Sequence, residues 1–246
     1  MNHGKIVLRI DDIDAARTRP EYLEDIFETL HWLEIQWDEG AKDVQDFLKN
    51  YAQKYRLSYY EELLEELKNK NSLFACQCSR KQIQEGFSKS DICKNKKLHS
   101  EQKNLSWKID TELLPHTQIT DFLKGSQTEN VHKCMPDFVV RRKDELPAYQ
   151  LTSLADDILW KINFIVRGED LWNSSFAQMY IADLLGKTTF QEVVFFHHPL
   201  ILDAKGQKLS KSQGAEALKQ WRIQKKSPQI IYEIVEDFLE KNTISS

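Results

Sequence analysis

Six charged side chains stand within eleven positions near the start of the chain. They are Arg9, Asp11, Asp12, Asp14, Arg17 and Arg19. Carboxylates and guanidinium groups at this density can pair with one another on a solvated turn, which is the common fate of such residues. They can also line a pocket that binds a polar substrate through charge-assisted hydrogen bonds. Both interpretations remain open from these residues alone.

A loop rich in lysine and serine runs from Asp203 to Gly214 and carries Lys208, Ser210 and Lys211. Two ammonium groups three positions apart can hold a triphosphate and neutralise the charge that develops on a departing pyrophosphate. The same composition is typical of a surface turn. The loop therefore indicates phosphate chemistry only in combination with other parts of the chain.

Three of the four cysteines cluster in the first half of the chain. Cys76 and Cys78 are separated by one residue, and Cys93 follows after a 14-residue loop. This spacing suits structural zinc, which takes four ligands at tetrahedral angles. His99 is the first candidate for the fourth ligand, with Asp91 or a water as the weaker alternatives. The cysteines can equally be ordinary small residues beside a strand.

A further candidate is Arg167, which comes directly after a strongly apolar segment and before Gly168. A guanidinium at the carboxyl end of a strand is well placed to bind a carboxylate through two parallel hydrogen bonds. Tyr149 is either a polar contact of this kind or a core residue with its hydroxyl satisfied. Asp156 and Asp157 are expected to cap a helix.

The elements that must position these side chains alternate between strands and helices. Lys5–Ile10 is predicted to form a strand with the acidic residues at its carboxyl end, where open α/β sheets bind their ligands. Apolar residues with helical spacing begin at Pro20 and again over Val44–Asn69. Further strands are predicted at 138–142, 162–166 and 193–196, and further helices at 174–185 and 228–241. This alternation predicts an α/β fold.

Residues 74–130 differ in character from the segments on either side. They contain short apolar pieces, three cysteines and a lysine-rich stretch. We therefore expect a main domain formed by 1–73 and 131–246, interrupted by an inserted subdomain at 74–130 that is a candidate zinc-binding module.

Length and composition exclude several classes of protein. With 246 residues, 41% of them hydrophobic, the chain can bury a sizeable core and is neither fibrous nor disordered. Its net charge of −4 provides no global attraction for nucleic acid. No apolar run reaches the roughly 20 residues of a membrane span, and no secretory signal is present. Four cysteines are too few for a disulfide scaffold, so we expect a soluble protein of the reducing cytoplasm.

Taken in their order, these segments resemble the catalytic domain of the class I glutamyl-tRNA synthetases. Arg9 to Asp14 is similar to the family's R-I-E-D-T-D segment, and Lys208 to Ser212 is similar to its K-M-S-K-S loop. Segments 137–149, 156–157 and 166–170 are similar to its amino-acid-binding half. The resemblance covers nearly the whole chain and implies a Rossmann-like, doubly wound parallel sheet.

The resemblance also implies a reaction and a set of binding residues. It implies activation of glutamate with ATP and Mg²⁺, followed by transfer to tRNA(Asp) or tRNA(Glu), by a protein expected to be a monomer. The residues expected to bind glutamate are Arg9, Asp11, Tyr149 and Arg167. The residues expected to bind ATP are His197, Lys208, Ser210 and Lys211. Lys208 and Lys211 are also the expected catalytic residues.

Two features are similar to the shorter members of the family, the glutamyl-Q tRNA(Asp) synthetases, which attach glutamate to queuosine in the anticodon of tRNA(Asp). The sequence ends soon after the lysine loop, where full glutamyl-tRNA synthetases continue into an anticodon-binding region. The shorter members also have a C-x-C pair and a tyrosine four residues before a third cysteine. Cys76, Cys78 and Cys93 fit that pattern, and Lys89 replaces the tyrosine.

Two departures from the family affect the expected activity. Asp11 stands where the family has a glutamate that contacts the substrate amino group, and it is one methylene shorter. The family has an H-I-G-H-like motif well before the R-I-E-D segment, whereas only eight residues precede Arg9 here. We expect the first strand and the histidines that stabilise ATP phosphates to be missing. This chain should therefore show little glutamate-dependent ATP–pyrophosphate exchange. It is either a truncated form of an enzyme or an inactive module that binds glutamate, nucleotide or tRNA.

Overall fold

The computed structural model describes residues 4–14, 19–78, 93–94, 104–200, 202 and 218–243. The chain divides into two compact units, one comprising residues 1–55 and 199–246 and the other residues 56–198. Both boundaries expected from the sequence, at 73 and at 130, fall inside the second unit, and the three-part division stays a prediction. Within the described part of the chain, no helix has the length and apolar character needed to cross a membrane.

Helices and strands are interspersed along the described part of the chain. In order they are β1 (Val7–Leu8), α1 (Pro20–Trp32), β2 (Glu39–Gly40), α2 (Val44–Asp46), α3 (Leu57–Asn69), β3 (Leu73–Cys76), β4 (Ser106–Ile109), β5 (Thr117–Asp121), β6 (Gly125–Glu129), α4 (Val131–Cys134), β7 (Val139–Arg141), α5 (Tyr149–Leu159), β8 (Phe164–Gly168), α6 (Trp172–Leu185), α7 (Thr188–Gln191), β9 (Val194–His198), α8 (Leu218–Ile223) and α9 (Gln229–Thr243).

The first unit contains a short parallel pairing of β1 with β2, in which Leu8 lies opposite Gly40. Only Val7–Leu8 of the predicted strand Lys5–Ile10 joins this pairing. Glycine is required at position 40, because its φ is +115° and an added Cβ would lie 2.4 Å from the carbonyl oxygen of Leu8. Around this pairing α1 and α2 enclose a small apolar core. Its buried members are Leu23, Phe27, Ala41, Phe47 and Ala52.

The single helix predicted over Val44–Asn69 is wrong, because the chain breaks in its middle. A π-helical turn at Phe47–Tyr51 follows α2, and Ala52 then adopts an extended conformation with ψ of 140°. The backbone N–H of Gln53 donates to Asp12 Oδ1 at 2.7 Å. Asp12 is 41 positions away, so apolar spacing within the helix could not predict this contact.

The described part of the second unit contains two sheets. One is antiparallel, with strand order β3-β4-β7. The other has the order β6-β5-β9-β8, in which β5, β9 and β8 run parallel and β6 is antiparallel to β5. Helices connect the parallel strands, which confirms the predicted α/β class.

Helix α6 packs against β5 and against α5, and it is buried on nearly every side. Phe176, Met179 and Tyr180 are among its buried residues. It ends at Gly186, whose left-handed φ of +67° closes the last turn. The helix thereby covers the parallel sheet close to the carboxyl ends of β8 and β9.

Candidate functional site

Three polar side chains lie at the carboxyl ends of the parallel strands in the second unit. Arg167 on β8 is in register with His197 on β9. Asp121 is the last residue of β5, in register with Phe195 on β9. Parallel strands present their carboxyl ends at one edge of the sheet, which is where α/β proteins bind ligands. The fold therefore brings the predicted residues Arg167 and His197 together and adds Asp121, which the sequence did not indicate.

A continuous chain of hydrogen bonds joins these side chains to helix α6. The Nδ1 atom of His197 lies 2.8 Å from Asp121 Oδ2, and its Nε2 atom lies 2.8 Å from Ser175 Oγ. Arg167 Nη1 donates to Ser175 Oγ at 3.3 Å and to Gln178 Oε1 at 2.9 Å. Ser175 and Gln178 are three residues apart on α6, so they lie on the same face of the helix.

Burial governs the ionisation of this network. The side chain of His197 has no exposed surface, and burial lowers its pKa although the hydrogen bond with Asp121 and the charge of that carboxylate act in the opposite direction. Burial also opposes ionisation of Asp121, but hydrogen bonds from His197 and from two backbone N–H groups outweigh it and lower its pKa. The arrangement favours a neutral imidazole beside an ionised carboxylate.

Aromatic rings pack against the same polar groups. The guanidinium carbon of Arg167 lies 5.2 Å from the centroid of the Phe195 ring. The Trp172 ring approaches His197 edge-on, with 4.7 Å between the centroids. A cation over an aromatic face is electrostatically favourable. These contacts leave Arg167 with 8% of its surface exposed, so its guanidinium is held by the protein before any ligand arrives.

Tyr149 is the first residue of α5 and is 38% exposed. The alternative of a core position for this tyrosine is therefore wrong. Its contact with glutamate stays a prediction.

In the first unit, Arg9 and Asp11 form an ion pair with 2.9 Å between Nε and Oδ1. Their side chains are 19% and 35% exposed. The turn that follows is held by the fully buried Gln53, which donates its backbone N–H to Asp12 and accepts the N–H of Ile13 at 2.7 Å. The acidic segment is thus an ordered turn. The assignment of Arg9 and Asp11 to glutamate binding stays a prediction.

The lysine loop falls outside the described residues. The predicted residues that lie outside the described part of the chain are Lys208, Ser210 and Lys211 of this loop, Arg17, and the metal-ligand candidates Asp91 and His99. Their roles stay predictions. The ATP contact predicted for His197 is likewise untested, and both of its ring nitrogens are hydrogen-bonded within the protein.

The three cysteines predicted as metal ligands lie together. Cys93 Sγ is 3.4 Å from Cys76 Sγ and 3.5 Å from Cys78 Sγ, and all three sulfurs lie within 4.8 Å of one another. Sulfurs that are each 2.3 Å from a tetrahedral zinc ion are separated by about 3.8 Å, so the cluster fits zinc. Burial and hydrogen bonds to the other two sulfurs raise the pKa of Cys93 to about 12. At this pKa the Cys93 thiol stays protonated near neutral pH unless a bound cation stabilises the thiolate, which is the form that binds metal.

Asp156 lies inside α5 and does not cap a helix, so that expectation is wrong. Its carboxylate is fully buried and accepts from Arg56 Nε at 2.6 Å, from Arg56 Nη2 at 3.0 Å and from the Tyr60 hydroxyl at 2.6 Å. The guanidinium of Arg56 also lies 5.0 Å from the centroid of the Trp160 ring. These contacts connect α5 to α3 and identify Asp156 as a structural residue.

Sequence reasoning missed Asp121, Ser175, Gln178 and Gln53. The spacing of Ser175 and Gln178 gave the one available signal, because it places both on one helix face. The local sequence does not predict that this helix face meets Asp121, because only the order of the strands in the sheet brings the two together.

Comparison with known proteins gives a consistent match over nearly the whole chain. Residues 1–237 match the family model described as tRNA synthetases class I (E and Q), catalytic domain. The glutamyl-Q tRNA(Asp) synthetase of Acinetobacter baylyi is 33% identical over 89% of this chain and 70% of its own length. That of Nitratidesulfovibrio vulgaris is 33% identical over 85% of this chain and 68% of its own length. The glutamate–tRNA ligase of Thermobifida fusca is 34% identical over 89% of this chain and 45% of its own length.

A solved structure gives the same relationship at the level of the fold. The glutamate-tRNA synthetase of Elizabethkingia anophelis superposes with a TM-score of 0.66 at 22% identity. The superposition covers 87% of this chain and 47% of that protein, so the chain spans about half the length of this neighbour. The likeness confirms the predicted Rossmann-like α/β fold, and the match to the family model confirms the resemblance noted in the sequence.

Proposed function

We propose that this chain, which belongs to the catalytic-domain family of the class I tRNA synthetases (E and Q), activates glutamate with ATP and transfers it to a tRNA. One observation carries the choice of glutamate. Arg167 is a nearly buried guanidinium at the carboxyl edge of a parallel sheet, and fixed acceptors hold one of its nitrogens. A preorganised guanidinium of this kind favours a carboxylate ligand over a neutral one.

The proposed reaction has two steps. An oxygen of the glutamate α-carboxylate attacks the α-phosphorus of ATP, and the bond between that phosphorus and the bridging oxygen to the β-phosphate breaks. Glutamyl-adenylate and pyrophosphate result. A hydroxyl of the acceptor then attacks the activated carbonyl, and AMP leaves. Mg²⁺, when bound with ATP, neutralises phosphate charge.

The chain's own residues contribute mainly positioning and charge. Arg167 binds the γ-carboxylate, and Tyr149 contributes a further polar contact. Arg9 and Asp11 bind the amino-acid end of the substrate, since Asp11 offers a carboxylate to an ammonium group. The lysine loop supplies cations to the triphosphate. Holding the reacting groups in place and stabilising developing charge account for most of the acceleration in such reactions.

For the acceptor we propose queuosine of tRNA(Asp), with tRNA(Glu) as the alternative. Two relatives that are 33% identical to this chain bear the name glutamyl-Q tRNA(Asp) synthetase. The cysteine cluster supports the same choice, because the shorter members of the family have the C-x-C pattern. Zinc held by Cys76, Cys78 and Cys93 would order that part of the chain without entering the reaction.

Calorimetric titration with glutamate, glutamine and ATP tests the choice of substrate. Wild-type protein should prefer glutamate, because a carboxylate accepts charge-assisted hydrogen bonds from the guanidinium of Arg167 that an uncharged amide cannot match. That loss is worth roughly 2 to 3 kcal/mol, or about 30- to 150-fold in affinity. Arg167→Leu should abolish the preference and leave the affinity for ATP nearly intact.

Arg222→Leu is the matched control, since Arg222 pairs with Asp25 at 2.8 Å and its side chain is 15% exposed. It should retain the preference for glutamate. Equal binding of glutamate and glutamine by wild type, or unchanged glutamate binding by Arg167→Leu, would show that Arg167 has only a structural role.

A second measurement separates activation from binding alone. Glutamate-dependent exchange of pyrophosphate with ATP reports formation of the adenylate. Exchange above the rate without glutamate supports activation and contradicts the low exchange expected from the sequence. Binding of glutamate and ATP without exchange agrees with that expectation and supports a binding module.

A further inference from the structure

We infer that Asp121, His197 and Ser175 form a positioning relay that sets the orientation of the Arg167 guanidinium and thereby the selectivity for an acidic substrate. The inference rests on the proposed glutamate-binding role of Arg167. The relay spans β5, β9 and α6 and ends on β8, so four elements of the second unit converge on one side chain. None of the three relay residues was identified with this role from the sequence.

The directions of the protons follow from the partners in the relay. Asp121 Oδ2 is an acceptor, so His197 carries its proton on Nδ1 and presents a lone pair at Nε2. Ser175 therefore donates its hydroxyl proton to His197 across 2.8 Å. Its oxygen lone pairs are then available to accept from Arg167 Nη1. Through His197, the buried carboxylate of Asp121 thus keeps the oxygen of Ser175 as an acceptor for Arg167.

Two acceptors on one nitrogen determine how the guanidinium lies. Ser175 Oγ and Gln178 Oε1 both accept from Arg167 Nη1, and the Phe195 ring lies beside the group. Because a guanidinium is planar and rigid, holding one end fixes the direction of its remaining N–H groups. Preorganisation of this kind increases affinity by reducing the ordering cost on binding.

The distances in the relay match those of a serine–histidine–aspartate triad, yet a hydrolytic function does not fit. Ser175 lies in the first half of α6 with no exposed surface, so a substrate cannot reach its oxygen. The hydroxyl is also within 3.3 Å of the Leu171 carbonyl oxygen of the preceding turn. A nucleophile must reach the reacting carbon directly. The geometry therefore serves positioning.

Asp121 offers a sharp way to disturb the relay without changing its shape. Its Oδ1 atom accepts the backbone N–H groups of Leu123 and Lys124, both at 3.0 Å, and its Oδ2 atom accepts from His197. In Asp121→Asn the amide oxygen is retained by the two backbone donors. The NH₂ group then faces His197 Nδ1 and forces the imidazole proton onto Nε2, where it points at Ser175.

Asp121→Asn should weaken glutamate binding about tenfold, the size of one weakened hydrogen bond to a charged group. The affinity for glutamine should change less than twofold. The sign of the change in glutamate affinity separates two explanations. Removal of a buried negative charge near Arg167 would by itself strengthen binding of an anion. Weaker glutamate binding therefore reports orientation and not net charge.

Asp183→Asn is the control for the same replacement elsewhere on α6. Asp183 accepts from Gln191 Nε2 at 2.8 Å, outside the relay. Its replacement should leave the ratio of glutamate to glutamine affinity unchanged. A loss of that ratio in Asp183→Asn would assign the effect to general destabilisation and overturn the inference.

A second pair of variants addresses the middle of the relay. Ser175→Ala removes the acceptor and should reduce glutamate affinity about tenfold, whereas Ser175→Thr retains a hydroxyl and should restore most of it. Full glutamate affinity in both Asp121→Asn and Ser175→Ala would refute the relay while leaving the proposed function intact. Failure of the wild-type protein to bind glutamate would refute the proposed function, and the relay with it.

Discussion

The buried pair between Arg56 and Asp156 gives the sharpest prediction about stability. Asp156 is completely buried, and the Arg56 side chain is 9% exposed. Replacement of Asp156 by asparagine removes the negative charge and leaves the guanidinium of Arg56 nearly buried. The asparagine NH₂ group also has to face either a donor of Arg56 or the hydroxyl of Tyr60.

The expected loss follows from these contacts. Breaking one side of a buried ion pair costs about 3 to 5 kcal/mol, because the remaining charge loses its partner. For a chain of this size each kcal/mol corresponds to about 2 to 4 °C in melting temperature, so a fall of about 10 °C is expected. Urea unfolding followed by circular dichroism measures the free energy, and calorimetry measures the midpoint.

Two further variants test the reasoning. Glu65→Gln disrupts the exposed pair of Glu65 with Lys68, also on α3, and should change stability by less than about 0.5 kcal/mol. Arg56→Leu combined with Asp156→Asn should cost less than the sum of the two single changes, because no buried charge remains. A loss below about 1 kcal/mol for Asp156→Asn, or strict additivity in the double variant, would refute the assignment of a buried pair.

The cysteine cluster and the buried histidine give two further predictions. Protein purified without chelator should carry about one zinc equivalent, and elemental analysis should show its loss in Cys78→Ser but not in Cys134→Ser; metal-free wild-type protein would exclude the site. Burial lowers the pKa of His197 below its unfolded value of about 6.5, so the folded state binds fewer protons between the two pKa values and stability falls as the pH drops below about 6.5. Urea unfolding at pH 7.5 and 5.5 should show a smaller loss in His197→Asn than in wild type, and identical losses would contradict a depressed pKa.

Part of the candidate site could be predicted because its signals are local. The apolar run before Arg167 indicates a strand, and the position of the arginine at the end of that run follows from the sequence alone. The spacing of Cys76, Cys78 and Cys93 indicates a shared ligand, and their sulfurs lie within 4.8 Å of one another. Tyr149 and the pair of Arg9 with Asp11 could be singled out as polar groups, although their contacts could not.

The sequence by itself determined the α/β class, the approximate positions of most strands and helices, and the family. These properties depend on periodicity and on residue order, which neighbouring positions carry. Only the tertiary structure decided which polar groups meet. His197 and Asp121 are 76 positions apart, and Arg56 and Asp156 are 100 positions apart. Their pairing depends on the order of strands and the packing of helices, and burial then makes each such contact necessary because an unpaired polar group away from water is costly.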